Sequence, residues 1–435
     1  MPKTYKSRLT GALVSALLAL GSSVGQSNPS ASPKYLGPGS CSAVACHGGI
    51  QPMTATPVQQ NEYSVWVVQD KHAKAYSSLQ NPVSQRMASI LGIGKAQESP
   101  KCLACHALAV PAAQKGRDYD LNDGVSCESC HGPSSLWLGP HTIKSSTTKQ
   151  SLALGMFDTK SLIHRAEICM TCHVGTAEKF VDHEMIAAGH PDLVFELDSY
   201  SAVEPPHWKA PANPYAGVHA WSVGQAVKLS ESMKRLSRRA SGPIWPEYAE
   251  LDCFSCHHSL SRPEDSWRQD RGYHDRRPGT PPLNDAHYVV LRALVRDMEP
   301  ATSKDLESQL AIVYTQAGKL NSDRKQLADA ADAAANIAAR LATDLNGTSF
   351  DRARTAKLLR AICSDADHIS AQGPRSAEQA TMAIDSAFIA YAKESGPQPD
   401  VRNAIDALFK QLENPAGYSG PRFAAAMKRV GASLK

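Results

Sequence analysis

The chain has 435 residues, enough for two or three domains on the usual length prior. Its 42% apolar and 20% charged residues are those of an ordinary globular protein and argue against both a disordered chain and a membrane bundle. Three cations of the formal +4 lie in the first eight residues, leaving +1 for the remainder, which is no basic surface for nucleic acid.

Lys3, Lys6 and Arg8 precede an apolar run from Leu9 to about Leu20, and the small residues Ser23 and Gly25 follow. This order of basic, apolar and small residues reads as a secretory signal over residues 1–25. The run is shorter than the roughly 18–20 residues that a membrane span needs, and no later segment suits one. The expectation is a periplasmic or secreted protein without stable membrane insertion.

The next segment, residues 34–290, holds ten of the eleven cysteines, in pairs that each end in Cys-His. Four are strict Cys-x-x-Cys-His strings: Cys102/Cys105/His106, Cys127/Cys130/His131, Cys169/Cys172/His173 and Cys253/Cys256/His257. A fifth, Cys41/Cys46/His47, has four residues between its cysteines. Disulfide frameworks do not require a histidine after every second cysteine, and zinc sites would each be a ligand short. The spacing does suit haem c. Two thiols add across the two vinyl groups of one haem, and the histidine that follows is delivered to the iron. Five covalently attached haems are therefore expected.

A six-coordinate electron-transfer haem needs a second axial ligand, usually another histidine in multihaem proteins. Eleven histidines remain after the five proximal ones. His72 lies in a stretch with helical apolar spacing, and His141 follows the turn at His131 by ten residues. His183 and His190, seven apart, would share a face if their segment is helical, and His258 directly follows a proximal histidine. These five are the distal candidates. His164, His207, His219, His274 and His287 are reserves, and His368 is expected at the surface. Met53, Met87 and Met185 are better read as core filling than as ligands. Pro- and Gly-rich stretches such as Glu204-Pro-Pro-His-Trp-Lys-Ala-Pro separate the motifs and disfavour regular structure. The expectation is a mainly α fold with short helices, long irregular loops and little β-structure.

Residues 291–435 change in texture. Leu306, Leu310, Val313, Ala317 and Leu320 form the apolar stripe of an amphipathic helix. Asn346-Gly347 and Gly373-Pro374 read as helix stops, Ser376-Ala-Glu-Gln379 as a capping box, and Ile405, Leu408 and Leu412 as another helix. An all-α bundle of about five or six helices is expected, serving packing or docking, with Cys363 buried in it.

Several strings resemble the cytochrome c-554 family of multihaem cytochromes. They are Cys41-Ser-Ala-Val-Ala-Cys-His-Gly-Gly49, Trp66 to Ala75, Cys127-Glu-Ser-Cys-His-Gly-Pro133, His183 to Pro191 with Phe195-Glu196, Trp221-Ser-Val-Gly-Gln225, and Trp245 to His258. The resemblance covers about residues 34–275 and implies a mostly helical fold, haems in stacked pairs and periplasmic electron transfer. Cys-Phe-Ser-Cys-His-His also looks like a string of small tetrahaem cytochromes, where the second histidine serves another haem. This chain departs from the family in its five motifs and its helical extension.

Two functions follow. Electron transfer between redox partner proteins is favoured, with the helical region as a subunit contact in a larger redox complex. The alternative is an oxidoreductase acting on a small nitrogen or sulfur compound at one five-coordinate haem. Pentahaem nitrite reductases mark their catalytic haem with Lys in place of the proximal His, and no Cys-x-x-Cys-Lys occurs here. Cytochrome c-554 is itself thought to carry a five-coordinate haem with an ordinary motif.

Overall fold

The computed structural model describes residues 32–56, 58–257, 282–319 and 321–434. The signal segment, His258 and His274 lie outside them. The fold is mainly α: among the described residues there is no strand, only the isolated bridges Tyr35–Lys115 and Leu251–Leu283.

Up to about residue 160 the helices are short, and polar bonds replace an apolar core. Among the described residues only six buried apolar side chains precede Ala166: Trp66, Leu79, Ala88, Ala96, Ala107 and Trp137. Buried Glu128, inside the third cysteine motif, accepts from the amides of Leu36 (2.9 Å), Gly37 (2.7 Å) and Ser134 (2.7 Å). A buried carboxylate must be hydrogen-bonded, so this residue fixes the segment leading into Cys41 against the third motif.

From Ala166 onward one continuous apolar core runs to Val430 and crosses residue 290. Its axis is the helix Ala216–Ser241, which packs most extensively on Arg324–Asn346. Small residues such as Ala226, Ala331, Ala334 and Ala338 let the two backbones approach, and Ser230 Oγ donates to the Ala335 carbonyl at 3.0 Å. Gly224 is required on the other flank, because a Cβ there would stand 2.7 Å from Leu197 Cβ. The same helix therefore serves both the motif-bearing region and the C-terminal helices.

Among the described residues eight α-helices follow residue 290, more than the five or six expected. Pro300 begins a new helix directly after Leu291–Met298, and a break at Asp365 divides Arg352–Ser364 from Ala366–Ala371. Leu306, Leu310 and Val313 are fully buried, as the stripe requires, and that helix ends at Ala317; Leu320 lies outside the described residues. The expected capping box at Ser376 is absent. The helix starts two residues earlier, with Pro374 at its first position and Gly373 at φ +93° before it. Proline's fixed φ suits that first position, so it overrides the weaker capping signal. Cys363 is buried, whereas His368 is half-buried near Asp285 and not at the surface.

Candidate haem-attachment sites

Local structure explains how each motif presents its three groups. Cys102–His106 and Cys127–His131 each lie within a short helix, and Cys169–His173 closes the helix Leu162–His173. Residues three and four apart share a helix face, so both thiols and the imidazole point the same way. At Cys253 a 3-10 turn takes the helix's place, with the His257 amide bonded to the Cys253 carbonyl at 2.8 Å. The wider first loop closes comparably, the His47 amide donating to the Cys41 carbonyl at 3.2 Å.

The four strict motifs have the same spacing, but the last differs in its local structure. Cys253 is half-buried, but Cys256 and His257 are both exposed. The 3-10 turn Cys253–Ser255 ends before Cys256, and among the described residues Cys256 Sγ meets the neighbouring Ser255 Oγ at 3.8 Å.

Four of the five proximal histidines face a second histidine. Ring centroids are 6.3 Å apart for His47–His141, 6.3 Å for His106–His190, 6.0 Å for His173–His72 and 6.3 Å for His257–His183. Two imidazoles bound through Nε2 to one metal, at about 2 Å each, would put their centroids roughly 6 Å apart. The separations thus fit a pair of axial ligands. The expected helix through His183 and His190 stops at Ala187, and Gly189 at φ +113° turns the chain. The two histidines consequently face different motifs.

In five of these eight histidines Nδ1 has a partner. His47 Nδ1 meets Glu62 Oε2 at 2.9 Å, and His72 Nδ1 meets Asp70 Oδ1 at 3.0 Å. His106 Nδ1 lies 3.2 Å from the Ala75 carbonyl, His190 Nδ1 2.7 Å from that of Pro191, and His141 Nδ1 contacts that of Leu138. Such partners fix the ring and leave Nε2 for a metal. Burial pushes His131 and His173 down to about 4, so both rings are neutral, the form that ligates. The Asp70 contact, opposed by burial, raises His72. Cys130 is the other exposed thiol of the ten, and desolvation pushes it up to about 12.

His131 differs. No second imidazole stacks opposite it among the described residues; His207 is its foremost electrostatic neighbour after burial itself, and the His207 ring packs on Trp208 at 4.9 Å. Of the other reserves, His164 is exposed and His219 Nε2 contacts the Leu345 carbonyl at 3.1 Å. His287 lies deep beside Arg235, Lys228 and Arg375, with burial pushing it well below its ordinary value.

Proximity between motifs gives their spatial order. The Cys41 and Cys127 thiols are close enough to perturb each other electrostatically, as are those of Cys105 and Cys172, and Cys130 is perturbed by Cys169 and Cys172. One segment carries both His183 and His190, and Lys101 ties Asp182 at 2.6 Å, which joins the second motif to the fifth. The order is therefore first, third, fourth, second, fifth. A buried ionic network braces the later motifs. Arg235 forks onto Glu250 through two 2.8 Å bonds and also reaches the Val174 carbonyl, next to His173. Arg239 joins Glu250 at 3.1 Å, and Glu247 accepts from the His183 amide at 3.0 Å. Burial opposes ionisation of Glu250, but the two arginines hold its carboxyl below the ordinary value. Sequence reasoning missed this network and the roles of Glu62 and Asp70. Asp70, two residues before His72, offered a local signal; Glu62 and Arg235 offered none.

Paired thiols beside oriented histidines are the groups that a covalently attached haem requires. The family described as cytochrome c554 and c-prime matches residues 41–132, which supports a c-type cytochrome family, covalently bound haem c and haem-based electron transfer with redox partners. No curated protein and no solved structure matches the chain. No helix among the described residues is long and apolar enough to cross a membrane.

Proposed function

We propose that this chain is a periplasmic or secreted pentahaem electron carrier. Haem c would be held by Cys41/Cys46, Cys102/Cys105, Cys127/Cys130, Cys169/Cys172 and Cys253/Cys256, with His47, His106, His131, His173 and His257 as proximal ligands. His141, His190, His72 and His183 would be the distal ligands of the first, second, fourth and fifth irons. When bound, each haem supplies a one-electron couple whose potential follows ligation, burial and nearby charge.

The observation that carries this proposal is the single separation, 6.0–6.3 Å, shared by four independent histidine pairs. Paired rings close both faces of an iron to substrate. Glu62 and Asp70 orient their rings and make them more basic, which favours the ferric state. The C-terminal helices, residues 291–435, act as a packing or docking region, and membership of a larger redox complex is part of the proposal. The test is a pyridine haemochrome count on the purified holo-protein. Five haems per chain are expected; four would remove the Cys41–Cys46 loop, the exposed Cys253–Cys256 pair or another motif.

One observation favours a second function for one site. His131 has no stacked partner ring among the described residues, so the third iron would keep an open face near His207. An oxidoreductase acting on a small nitrogen or sulfur compound would need such a face. Titration with nitric oxide distinguishes the cases: one binding haem per chain supports catalysis, and none leaves a pure carrier.

A further inference from the structure

The C-terminal helices reach into the fifth motif at two points. Tyr418 is buried and anchored by its hydroxyl, which donates to the Ser370 carbonyl at 2.8 Å. Its ring meets that of Phe254, the residue after Cys253, edge to face at 5.8 Å. Gly373 stands against Asp252, the residue before Cys253: a Cβ there would lie 3.0 Å from Asp252 Oδ1, and the φ of +93° itself favours glycine. The helix Pro374–Ser395 begins at this point, and Arg375 is its second residue.

Arg375 stands where neither the helix nor its burial favours a cation. The first turn of a helix carries partial positive charge, and only 12% of the Arg375 side chain is exposed. Asp192, two residues after His190, forms an ion pair with it. The charge is felt at the motif. Burial raises the Cys253 thiol, and of the charged groups around it Arg375 acts most strongly, lowering it against Asp192 and Asp252. Two further carboxyls feel the same cation: Glu378 is pushed up by burial, and Glu250 is already held by Arg235 and Arg239. A residue that breaks a local rule beside a functional group is explained best by what its charge does there.

We propose that Arg375 sets the reduction potential of the haem held by Cys253 and Cys256. Adding one electron takes a ferric porphyrin core from +1 to neutral, so a neighbouring cation favours the ferrous form and neighbouring carboxylates the ferric. Arg375 thereby offsets Asp192 and Asp252 and holds the potential up. The C-terminal helices then supply a tuning charge as well as packing. This rests on the fifth attachment site of the electron-carrier function above.

The experiment is a potentiometric titration of the full-length holo-protein, with dithionite as reductant and low-spin EPR signals as readout. The fifth haem is the one whose low-spin signal disappears in His183→Ala. Arg375→Gln should shift its ferrous-to-ferric equilibrium about tenfold toward ferric, which is about 59 mV for a one-electron couple. Arg375→Lys, which keeps the charge, should stay within about threefold of the parent. Asp192→Asn removes the opposing charge and should move the same haem the other way. An Arg375→Gln curve superimposable on the parent overturns the proposal, and so do shifts of the same sign in Arg375→Gln and Asp192→Asn, which would mark a merely structural role. Should Arg375→Gln fail to hold five haems, Asp192→Asn decides alone, and an unchanged or lowered potential overturns the proposal. A parent with unmodified Cys253 and Cys256 by mass spectrometry would instead strike the fifth site of the electron-carrier function itself.

Discussion

The first 130 described residues and the helices after residue 290 are ordered by different means. The later region buries leucines, isoleucines and alanines along every long helix, in one core shared with Ala216–Ser241. The earlier one buries six apolar side chains and instead turns cysteines and histidines toward one another. A segment with so little apolar burial cannot offset its conformational entropy unaided. The difference implies that haem held by these motifs would be structural in the first region and would contribute less to order in the second.

The largest expected effect breaks the two regions apart. Chain produced without haem attachment should lose its structure up to about residue 160, while the C-terminal helices resist protease. Equal digestion throughout would show that the contrast is mistaken. A smaller effect lies in the bundle alone. Leu341 is fully buried, and Leu341→Ala should cost about 2–5 kcal/mol of stability. The haem spectrum should not change, and a shifted Soret band would mean that the bundle supports the motifs more closely than described. His190→Ala addresses a single site: one low-spin haem should become high-spin, and an unchanged spectrum would remove His190 as a ligand. Least of all, Asp70→Asn should raise the midpoint potential of one haem by weakening the bond at His72 Nδ1. A titration curve superimposable on the parent would leave Asp70 as a turn residue only.

Much of the candidate site was legible because its chemistry is local. A thiol, a second thiol and a histidine within five residues need no tertiary information, and a helical turn suffices to aim them. The same string does not report its surroundings, so the exposure of Cys256, where the turn ends early, was not legible. Distal histidines were harder. His141 could be suspected from its place after His131, yet it faces His47, 94 positions earlier, because Cys41 and Cys127 are brought near each other. The helical periodicity after residue 290 was plain in Leu306, Leu310 and Val313. What could not be seen was that Ala216–Ser241, which carries a string resembling the haem family, is the axis of that bundle. Its burial on nearly every side comes from partners that lie far along the chain, and single-segment periodicity does not report them.

The angles between facing rings provide the most direct test of the central claim. His47–His141 and His257–His183 are near parallel, at 5° and 29°, whereas His173–His72 and His106–His190 are near perpendicular, at 81° and 88°. Axial rings set the splitting of the iron orbitals, so parallel pairs give rhombic low-spin signals and perpendicular pairs give broad signals at large g. Low-temperature EPR of the oxidised holo-protein should show two low-spin haems of each kind. Predominantly high-spin iron, or four low-spin haems of one kind, would contradict the assignment of these histidine pairs as the ligands.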